Sequence, residues 1–285
     1  EEGLDAVTAI RMATLNAAEC FDLKDRGAIA PGYRADVVLL DDLKDFHVNR
    51  VFIQGALVAE EGKYIPEIKR YDISTVKGSV IVKDFSAEKF KMHLKSNKVN
   101  VIKILPGGVV TAKDTAEIQL DEKGEFVRNP EEDIVKVAVV ERHQGTGNVA
   151  CGFLKGYGIK AGAVALSIAH DSHNIIVVGV SDEEMEFAVN SLIAQEGGMV
   201  LVKEGKVIES MPMPIAGLMS DQSGEWVDEK LTAIHAKAYE ELGIAGDVEP
   251  VMTLCFMSLA VIPEVKLTDM GLFDVTTFSF IPVEA

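Results

Sequence analysis

Short, strongly apolar runs recur along this chain, and they constrain its fold more than any other feature of the sequence. Three of them, at residues 133–140, 163–168 and 175–180, are rich in β-branched side chains and are bounded by polar or glycine-containing segments. Runs of this length and composition are typical of strands. Amphipathic patterns at 182–195 and 226–242 indicate helices between or after them. Because strands and helices do not alternate regularly, the sequence predicts an α+β fold rather than a doubly wound sheet.

Weaker strand patterns lie on both sides of these runs. Further strands are predicted at 80–82, 99–104, 109–112, 116–120, 199–203 and 206–209. Asp121 and Gly124 mark a turn after the fourth of these strands. Ser181 stands where an N-cap is expected, immediately before the helix pattern that starts at Asp182. The part of the chain after residue 75 is therefore predicted to be one mixed domain, residues 76–285.

The first 75 residues have a different pattern. Apolar residues at near-helical spacing predict a helix over 3–20, followed by turn residues such as Pro31 and Gly32. A short β-rich run at 35–41 and two strand patterns around Gly55 then predict a small β module with a hairpin. We expect two segments here, a terminal helix over 1–20 and a β module over 21–75.

Charge and cysteine usage exclude several classes of function. Lys and Arg total 28 against 45 Asp and Glu, for a formal net charge of -17, which argues against nucleic acid or an anionic membrane surface as partner. Cys20, Cys151 and Cys255 are scattered, so we expect no disulfide framework, no cysteine zinc site, and a reducing, cytoplasmic setting. The chain begins without Met inside a helix pattern, which suggests that an upstream portion is missing.

A first polar segment, ERHQGTGN at 141–148, follows the predicted strand 133–140 directly. Glu141, Arg142 and His143 are adjacent titratable residues at a strand end, where ligand-contacting groups are often found. Glu141 and His143 are therefore candidate catalytic residues. The alternative is a surface turn held by ion pairs.

A second polar segment, AHDSHN at 169–174, separates two predicted strands. On a strand, His170 and His173 would point to opposite faces, but on a turn they can converge on one ligand. His170, Asp171 and His173 are thus candidate catalytic residues, and the two histidines are candidate metal ligands. A metal site needs a third ligand, for which Asp171, Glu141 and His143 are available. The alternative is a polar turn whose histidines bind the backbone.

Two other segments look structural when taken alone. ATLNAAE at 13–19 with GAIAPGYRADVVLLD at 27–41 reads as a helix, a turn and a strand, and MPIAGLMSD at 213–221 reads as a packed connection. Taken with ERHQGTGN, GYGIKAGAVALSIAHDSHNIIVVG and VIPEVKLTDMGLFDV, however, they resemble the bacterial and archaeal adenine deaminase family of the amidohydrolase superfamily. The later motifs resemble its C-terminal domain. Residues 1–70 resemble the last helix of a TIM-type barrel leading into a β-sandwich.

The resemblance implies hydrolysis of adenine to hypoxanthine and ammonia in purine salvage, with manganese or iron as the cofactor. In the superfamily, a His-x-His pair on a barrel strand holds part of the metal site. The six histidines of this chain are never two residues apart: His47, His93, His143, His170, His173 and His235. The chain also lacks the His-x-Glu and Pro-Cys-x-x-Cys signature of zinc deaminases. We therefore expect the main metal ligands upstream, and little activity from this chain alone.

Three roles for the C-terminal domain follow from the resemblance and from the polar segments. In the first hypothesis, its turns at 141–148 and 169–174 approach the barrel mouth and cover the purine or complete a proton network. Alternatively, the domain is non-catalytic and only makes structural contacts, including those of a homo-oligomer. A third hypothesis is a stand-alone module that binds a metal or another ligand.

Overall fold

The protein is described from a computed structural model, which covers residues 3–105 and 107–285. The chain divides into two compact units, Glu1–Tyr71 and Asp72–Ala285. Glu1, where the predicted first domain begins, lies outside the described residues. The finer division of the chain at residues 20 and 75 remains a prediction.

The first unit opens with the predicted helix. It consists of α1 (Ala6–Arg11), a π-helical segment (Met12–Asn16) and α2 (Ala17–Cys20), which follow one another without a break. The carboxylate of Asp5 accepts a hydrogen bond from the Thr8 N–H at 3.0 Å and so caps the first turn. The helix therefore starts three residues later than predicted and ends at Cys20, as predicted.

The rest of the first unit is a small antiparallel sheet. Its strands, in spatial order, are β1 (Val37–Leu40), β2 (Val48–Ile53), β3 (Ala56–Glu60) and β4 (Lys63–Tyr64). Gln54 and Gly55 join β2 to β3 with φ angles of 52° and 79°, which is the conformation of a tight hairpin turn. The predicted hairpin around Gly55 is confirmed, and the sandwich remains a prediction because the described residues of this unit form one sheet.

The second unit is built on an eight-stranded sheet. In chain order its strands are β5 (Lys98–Ile104), β6 (Thr111–Glu117), β9 (Ile134–Val140), β10 (Val149–Lys155), β11 (Ala163–Leu166), β12 (Ile175–Gly179), β13 (Gly198–Lys203) and β14 (Lys206–Pro212), while β7 (Gln119–Leu120) and β8 (Phe126–Val127) form a separate ribbon. The spatial order is β14-β13-β11-β12-β9-β10-β5-β6. Neighbouring strands are antiparallel except β5 and β10, which are parallel. The mixed α and β class predicted for the chain is confirmed.

Three helices and a small C-terminal sheet complete the second unit. The helices are α3 (Asp182–Ala194), α4 (Gly224–Glu240) and α5 (Pro250–Cys255), with short 3-10 turns at Ser74–Val76, Ala87–Phe90 and Phe256–Ser258. The small sheet contains β15 (Val265–Thr268), β16 (Gly271–Asp274) and β17 (Ser279–Ile281). The Ser181 hydroxyl accepts a hydrogen bond from the Glu184 N–H at 3.3 Å, so the predicted N-cap is confirmed.

Both faces of the central sheet are buried, which explains the continuous apolar runs. On one face, side chains of β9 such as Val137 and Val139 pack with α4, α5 and β15. On the other face, Ala138 and Val140 pack with α3 and with Phe90. Successive strand residues point to opposite faces, so a strand covered on both sides needs apolar residues throughout.

The sequence predictions were wrong at two places and left other elements out. Residues 80–82 form no strand, although Val80 and Val82 pack against the core. The strands predicted at 109–112 and 116–120 are largely one strand, β6, whose Lys113 and Thr115 are exposed because β6 is an edge strand. Strand β10 and the C-terminal sheet were not predicted.

Among the described residues, no helix combines the length and apolarity needed to cross a membrane.

Candidate functional site

Strand order brings the two polar turns to the same end of the sheet. Val140, the last residue of β9, pairs with Val149 of β10 on one side and with Ile175 of β12 on the other. The turn at 141–148 joins β9 to β10, and the turn at 169–174 leads into β12, so both leave the sheet beside Val140. A ring nitrogen of His143, Nε2, lies 2.8 Å from the Ser172 carbonyl oxygen and joins the two turns directly.

Glu141 holds the first turn together. It is buried, and its carboxylate accepts hydrogen bonds from the N–H groups of His143, Gln144 and Thr146 at 2.5, 2.8 and 2.9 Å and from the Thr146 hydroxyl at 3.1 Å. Burial raises the pKa of this carboxyl, but the donated hydrogen bonds outweigh burial and keep the pKa below its ordinary value. Glu141 is therefore placed as an ionised anchor of the turn.

Arg142 holds the second turn and two further segments. Its side chain is fully buried, and its guanidinium donates from Nε to the His173 carbonyl at 2.5 Å and from Nη2 to the Ala216 carbonyl at 3.2 Å. Longer contacts reach the carbonyls of Ser79 and Ser167 at 3.4 and 3.5 Å. Burial lowers the pKa of Arg142, with the Glu141 charge acting in the opposite direction. This residue ties the turn at 169–174 to the segment 213–221.

His170 and His173 come together on the second turn. Their ring centroids are 5.9 Å apart, and the His170 ring also packs at 4.6 Å from the ring of Phe256. His170 Nδ1 lies 3.6 Å from the largely exposed carboxylate of Asp171. The Nδ1 atom of His173 is buried and has no hydrogen-bond partner among the described residues. The structure thus groups four of the five predicted site residues, with Glu141 turned into its own loop.

The basicity of His173 is set by its surroundings. Burial, followed by the charges of His170 and Arg142, lowers the pKa of His173 below its ordinary value, while Asp171 acts in the opposite direction. A neutral imidazole is therefore favoured at this position near neutral pH. Such a ring can donate a proton from one nitrogen and accept one at the other.

A third segment reaches the cluster from the C-terminal sheet. Asp269 lies in the turn between β15 and β16, and its carboxylate accepts hydrogen bonds from the side-chain amides of Asn148 at 3.3 Å and Asn174 at 3.2 Å. Sequence reasoning missed this residue and the extent of the Arg142 contacts. The available signal was the stretch VIPEVKLTDMGLFDV, in which a strand pattern ends at a polar Thr-Asp pair.

The described residues do not present a convincing metal site. His170 and His173 are not joined by a third ligand within reach, and the one group of three that is close enough is Asp41, His47 and Glu61 in the first unit. There, His47 directs Nδ1 to Asp41 at 3.5 Å and Nε2 to Glu61 at 3.3 Å. Since the two ring nitrogens point in divergent directions, this geometry fits a histidine bridging two carboxylates better than three ligands around one ion.

Known proteins match this chain over its whole length. Residues 108–279 match the model of the adenine deaminase C-terminal domain, and residues 1–58 match that of the amidohydrolase family. The chain is 66% identical over 285 residues to adenine deaminase 2 of Desulfotalea psychrophila, covering 100% of this chain and 50% of that protein. It is 50% identical over 284 residues to the adenine deaminase of Ligilactobacillus salivarius, covering 100% and 49%.

A third relative extends the same pattern. Adenine deaminase 2 of Carboxydothermus hydrogenoformans is 47% identical over 281 residues, covering 99% of this chain and 49% of that protein. The chain spans about half the length of the curated relatives it matches. Both polar turns, Arg142 and Asp269 lie within the 108–279 match. The chain therefore belongs to the family defined by the adenine deaminase C-terminal domain.

Proposed function

We propose that this chain is the C-terminal half of a metal-dependent adenine deaminase, which hydrolyses adenine to hypoxanthine and ammonia in purine salvage. The proposal rests on one observation above all. Relatives named adenine deaminase align with the whole chain, including the segment that matches the amidohydrolase family. The proposed setting is the cytoplasm, whose reducing conditions suit the three free cysteines.

The metal of such an enzyme, manganese or iron, is proposed to be held by the other half of the longer protein. When bound, the metal supplies an activated water as nucleophile. The described residues of this chain offer no suitable ligand set, because the two histidines of the second turn lack a third partner and His47 faces two separate carboxylates. We therefore propose that this chain contributes to the reaction by binding and covering the substrate and by transferring protons.

The cluster of His143, His170, Asp171 and His173 is proposed to close over the purine and to complete its proton network. Adenine presents ring nitrogens that accept hydrogen bonds and an amino group that leaves as ammonia after protonation. A neutral imidazole such as His173 suits hydrogen bonding to the purine, since one ring nitrogen donates a hydrogen bond and the other accepts one. The cluster lies at a strand end of a rigid, doubly covered sheet, which suits a positioned group.

A second candidate is a non-catalytic role in assembly, including a homo-oligomer. It is favoured by the exposed apolar side chains of two segments that join the polar cluster, Met219 and Met270, which are 58% and 71% exposed. Methionines on a surface are suited to contacts with another protein. In this case the histidines would stabilise the turns rather than act on substrate.

The test compares the 285-residue chain with the full-length protein, both with added manganese, in an adenine turnover assay. We expect turnover from the full-length protein only, and robust turnover from the chain alone would contradict the proposal. In the full-length protein, the double substitution His170→Ala and His173→Ala should reduce kcat, whereas His93→Ala, an exposed histidine on another turn, serves as the control. Unchanged turnover with altered oligomer size on gel filtration would favour the assembly role instead.

A further inference from the structure

We infer that Asp269 is a positioning residue for the histidine cluster, an inference that rests on the proposed function. Among the described residues, the side-chain hydrogen bonds of Asp269 come from the amides of Asn148 and Asn174 and from no histidine ring. It acts through the two turns that carry His143 and His173, and it belongs to a motif to which the proposed reaction gives no role. Its position on a separate sheet makes it the link between that sheet and the polar turns.

The contacts of Asp269 are divided between the two turns. One carboxylate oxygen, Oδ2, accepts the side-chain amide of Asn148 at the end of the first turn. The other oxygen, Oδ1, accepts the side-chain amide of Asn174 at the end of the second turn. A single carboxylate thus fixes the distance between the two turns.

Each asparagine is also bonded to the start of the first turn. The Asn148 carbonyl accepts the Glu141 N–H at 3.0 Å, which closes the first turn around Glu141. The side-chain oxygen of Asn174 accepts the Arg142 N–H at 3.3 Å, and Asn174 directly follows His173 in sequence. Asp269 is therefore two hydrogen bonds away from both Glu141 and Arg142, the residues that hold the turns.

The turn that carries Asp269 has a firm base. Leu267 and Leu272, on the strands that flank it, are buried against β10, where a Cβ added to Gly152 would lie 3.6 Å from Leu267 and 3.7 Å from Leu272. The turn itself is closed by the Thr268 hydroxyl, which accepts the Met270 N–H at 3.1 Å. A carboxylate on such a base can hold the two turns in one arrangement.

The chemistry at this position requires a carboxylate. Two amide groups donate to it, and an ionised carboxylate accepts both with charge-assisted hydrogen bonds, which are about twice as strong as neutral ones. An asparagine at position 269 would accept one amide but would present its own NH2 group to the other. The substitution Asp269→Asn keeps the size of the side chain and breaks one of the two links.

The experiment uses three variants of the full-length protein and of the 285-residue chain. Asp269→Asn breaks a link. The exchange Asp269→Asn with Asn174→Asp keeps the link to Asn148, restores the link to position 174 with donor and acceptor reversed, and returns the net charge to its original value. Asp228→Asn is the matched control, because Asp228 is exposed on α4 and its side chain makes no hydrogen bond or ion pair among the described residues.

We expect Asp269→Asn to shift the imidazole NMR resonances of His143 and His173 and to leave those of His47 and His93 unchanged. In the full-length protein kcat should fall by about tenfold or more, as expected when catalytic groups are displaced by a fraction of an ångström to 1 Å. The exchanged pair should recover the resonances and most of kcat. The control should match the wild type in both measurements.

Three results would overturn the inference. Unshifted resonances in Asp269→Asn would show that the carboxylate does not hold the histidines. Shifted resonances with an unchanged kcat, or lost kcat that the exchanged pair does not recover, would show that the positions of the histidines do not serve the reaction. Absence of deaminase activity in the wild-type full-length protein would contradict the proposed function, and the NMR comparison would still test the link itself.

Discussion

A single methyl group added at Gly217 tests whether the Arg142 guanidinium is held as tightly as its contacts indicate. Gly217 has a φ of +70°, and a Cβ there would lie 2.7 Å from Arg142 Nη1 and 3.0 Å from Arg142 Cζ. Gly205 provides a matched control, with a φ of +66° and no atom within 4 Å of its added Cβ. The two glycines therefore differ in available space and hardly at all in backbone conformation.

The expected loss of stability has two contributions, the strain of a left-handed φ and the lack of space for the methyl group. A left-handed φ costs an alanine about 1 to 2 kcal/mol, and this cost is common to both positions. At Gly217 the methyl group must also displace the guanidinium, which the His173 and Ala216 carbonyls hold at 2.5 and 3.2 Å. Overpacking of this kind costs about 1 to 3 kcal/mol more. Gly217→Ala should thus destabilise the second unit more than Gly205→Ala by about 2 kcal/mol.

The assay is urea unfolding followed by tryptophan fluorescence. Trp226 is the single tryptophan of the chain and lies on α4, so its signal reports on the second unit alone. Equal losses in the two alanine variants would refute the argument. In an Arg142→Ala background the extra cost of Gly217→Ala should disappear, because the group that the methyl meets is gone.

Two further predictions concern pH, and the same fluorescence assay checks both. Hydrogen bonds keep the pKa of Glu141 below its ordinary 4.5, so the wild type should be more stable than Glu141→Gln above that pH and lose the advantage as pH falls through the folded-state pKa. A difference that persists at the lowest pH would contradict this. Burial lowers the pKa of Lys266 from 10.5 to about 8. At pH 7 Lys266→Met should therefore be more stable by about 2 kcal/mol, after allowing for the lost bond to the Val109 carbonyl. This advantage should shrink between pH 8 and 10.5. In that range the unfolded wild type still holds the Lys266 proton and the folded wild type has lost it, so the stability of the wild type rises with pH. A constant difference between the two proteins would contradict the prediction.

The sequence predicted strands correctly where both faces of the strand are buried, because such a strand needs a continuous apolar run. Residues 133–140 and 175–180 could be identified as strands because an uninterrupted β-branched run of that length suits a doubly covered strand. The Ser181 cap could be identified because capping depends on neighbours within one turn. Strand β10 could not, since its sequence VACGFLK mixes a glycine and a lysine with apolar residues. Its place is set by pairing with β9, which is a contact that local pattern does not encode.

The meeting of the two polar turns depended on the same kind of long-range pairing. Each turn was recognised from its residues, but 28 residues separate the start of one from the start of the other, at 141 and 169. They meet because Val140 has Val149 on one side and Ile175 on the other. Asp269 lies almost a hundred residues further along. It reaches the asparagines of both turns because its own sheet packs against β10.

The charged residues Glu141 and Arg142 show why adjacency in sequence misled the interpretation of the turn. Neighbours of opposite charge suggested a surface turn held by ion pairs. In an extended or turning backbone, consecutive side chains point to different sides. Glu141 therefore points to the N–H groups of its own turn, while Arg142 points into the protein and binds carbonyl oxygens of other segments. A buried arginine bound to carbonyls keeps its full charge beneath the histidines, and this charge contributes to the lowered pKa of His173. The residue adjacent to Glu141 thus adds to the effect of burial and of His170 in favouring the neutral form of His173.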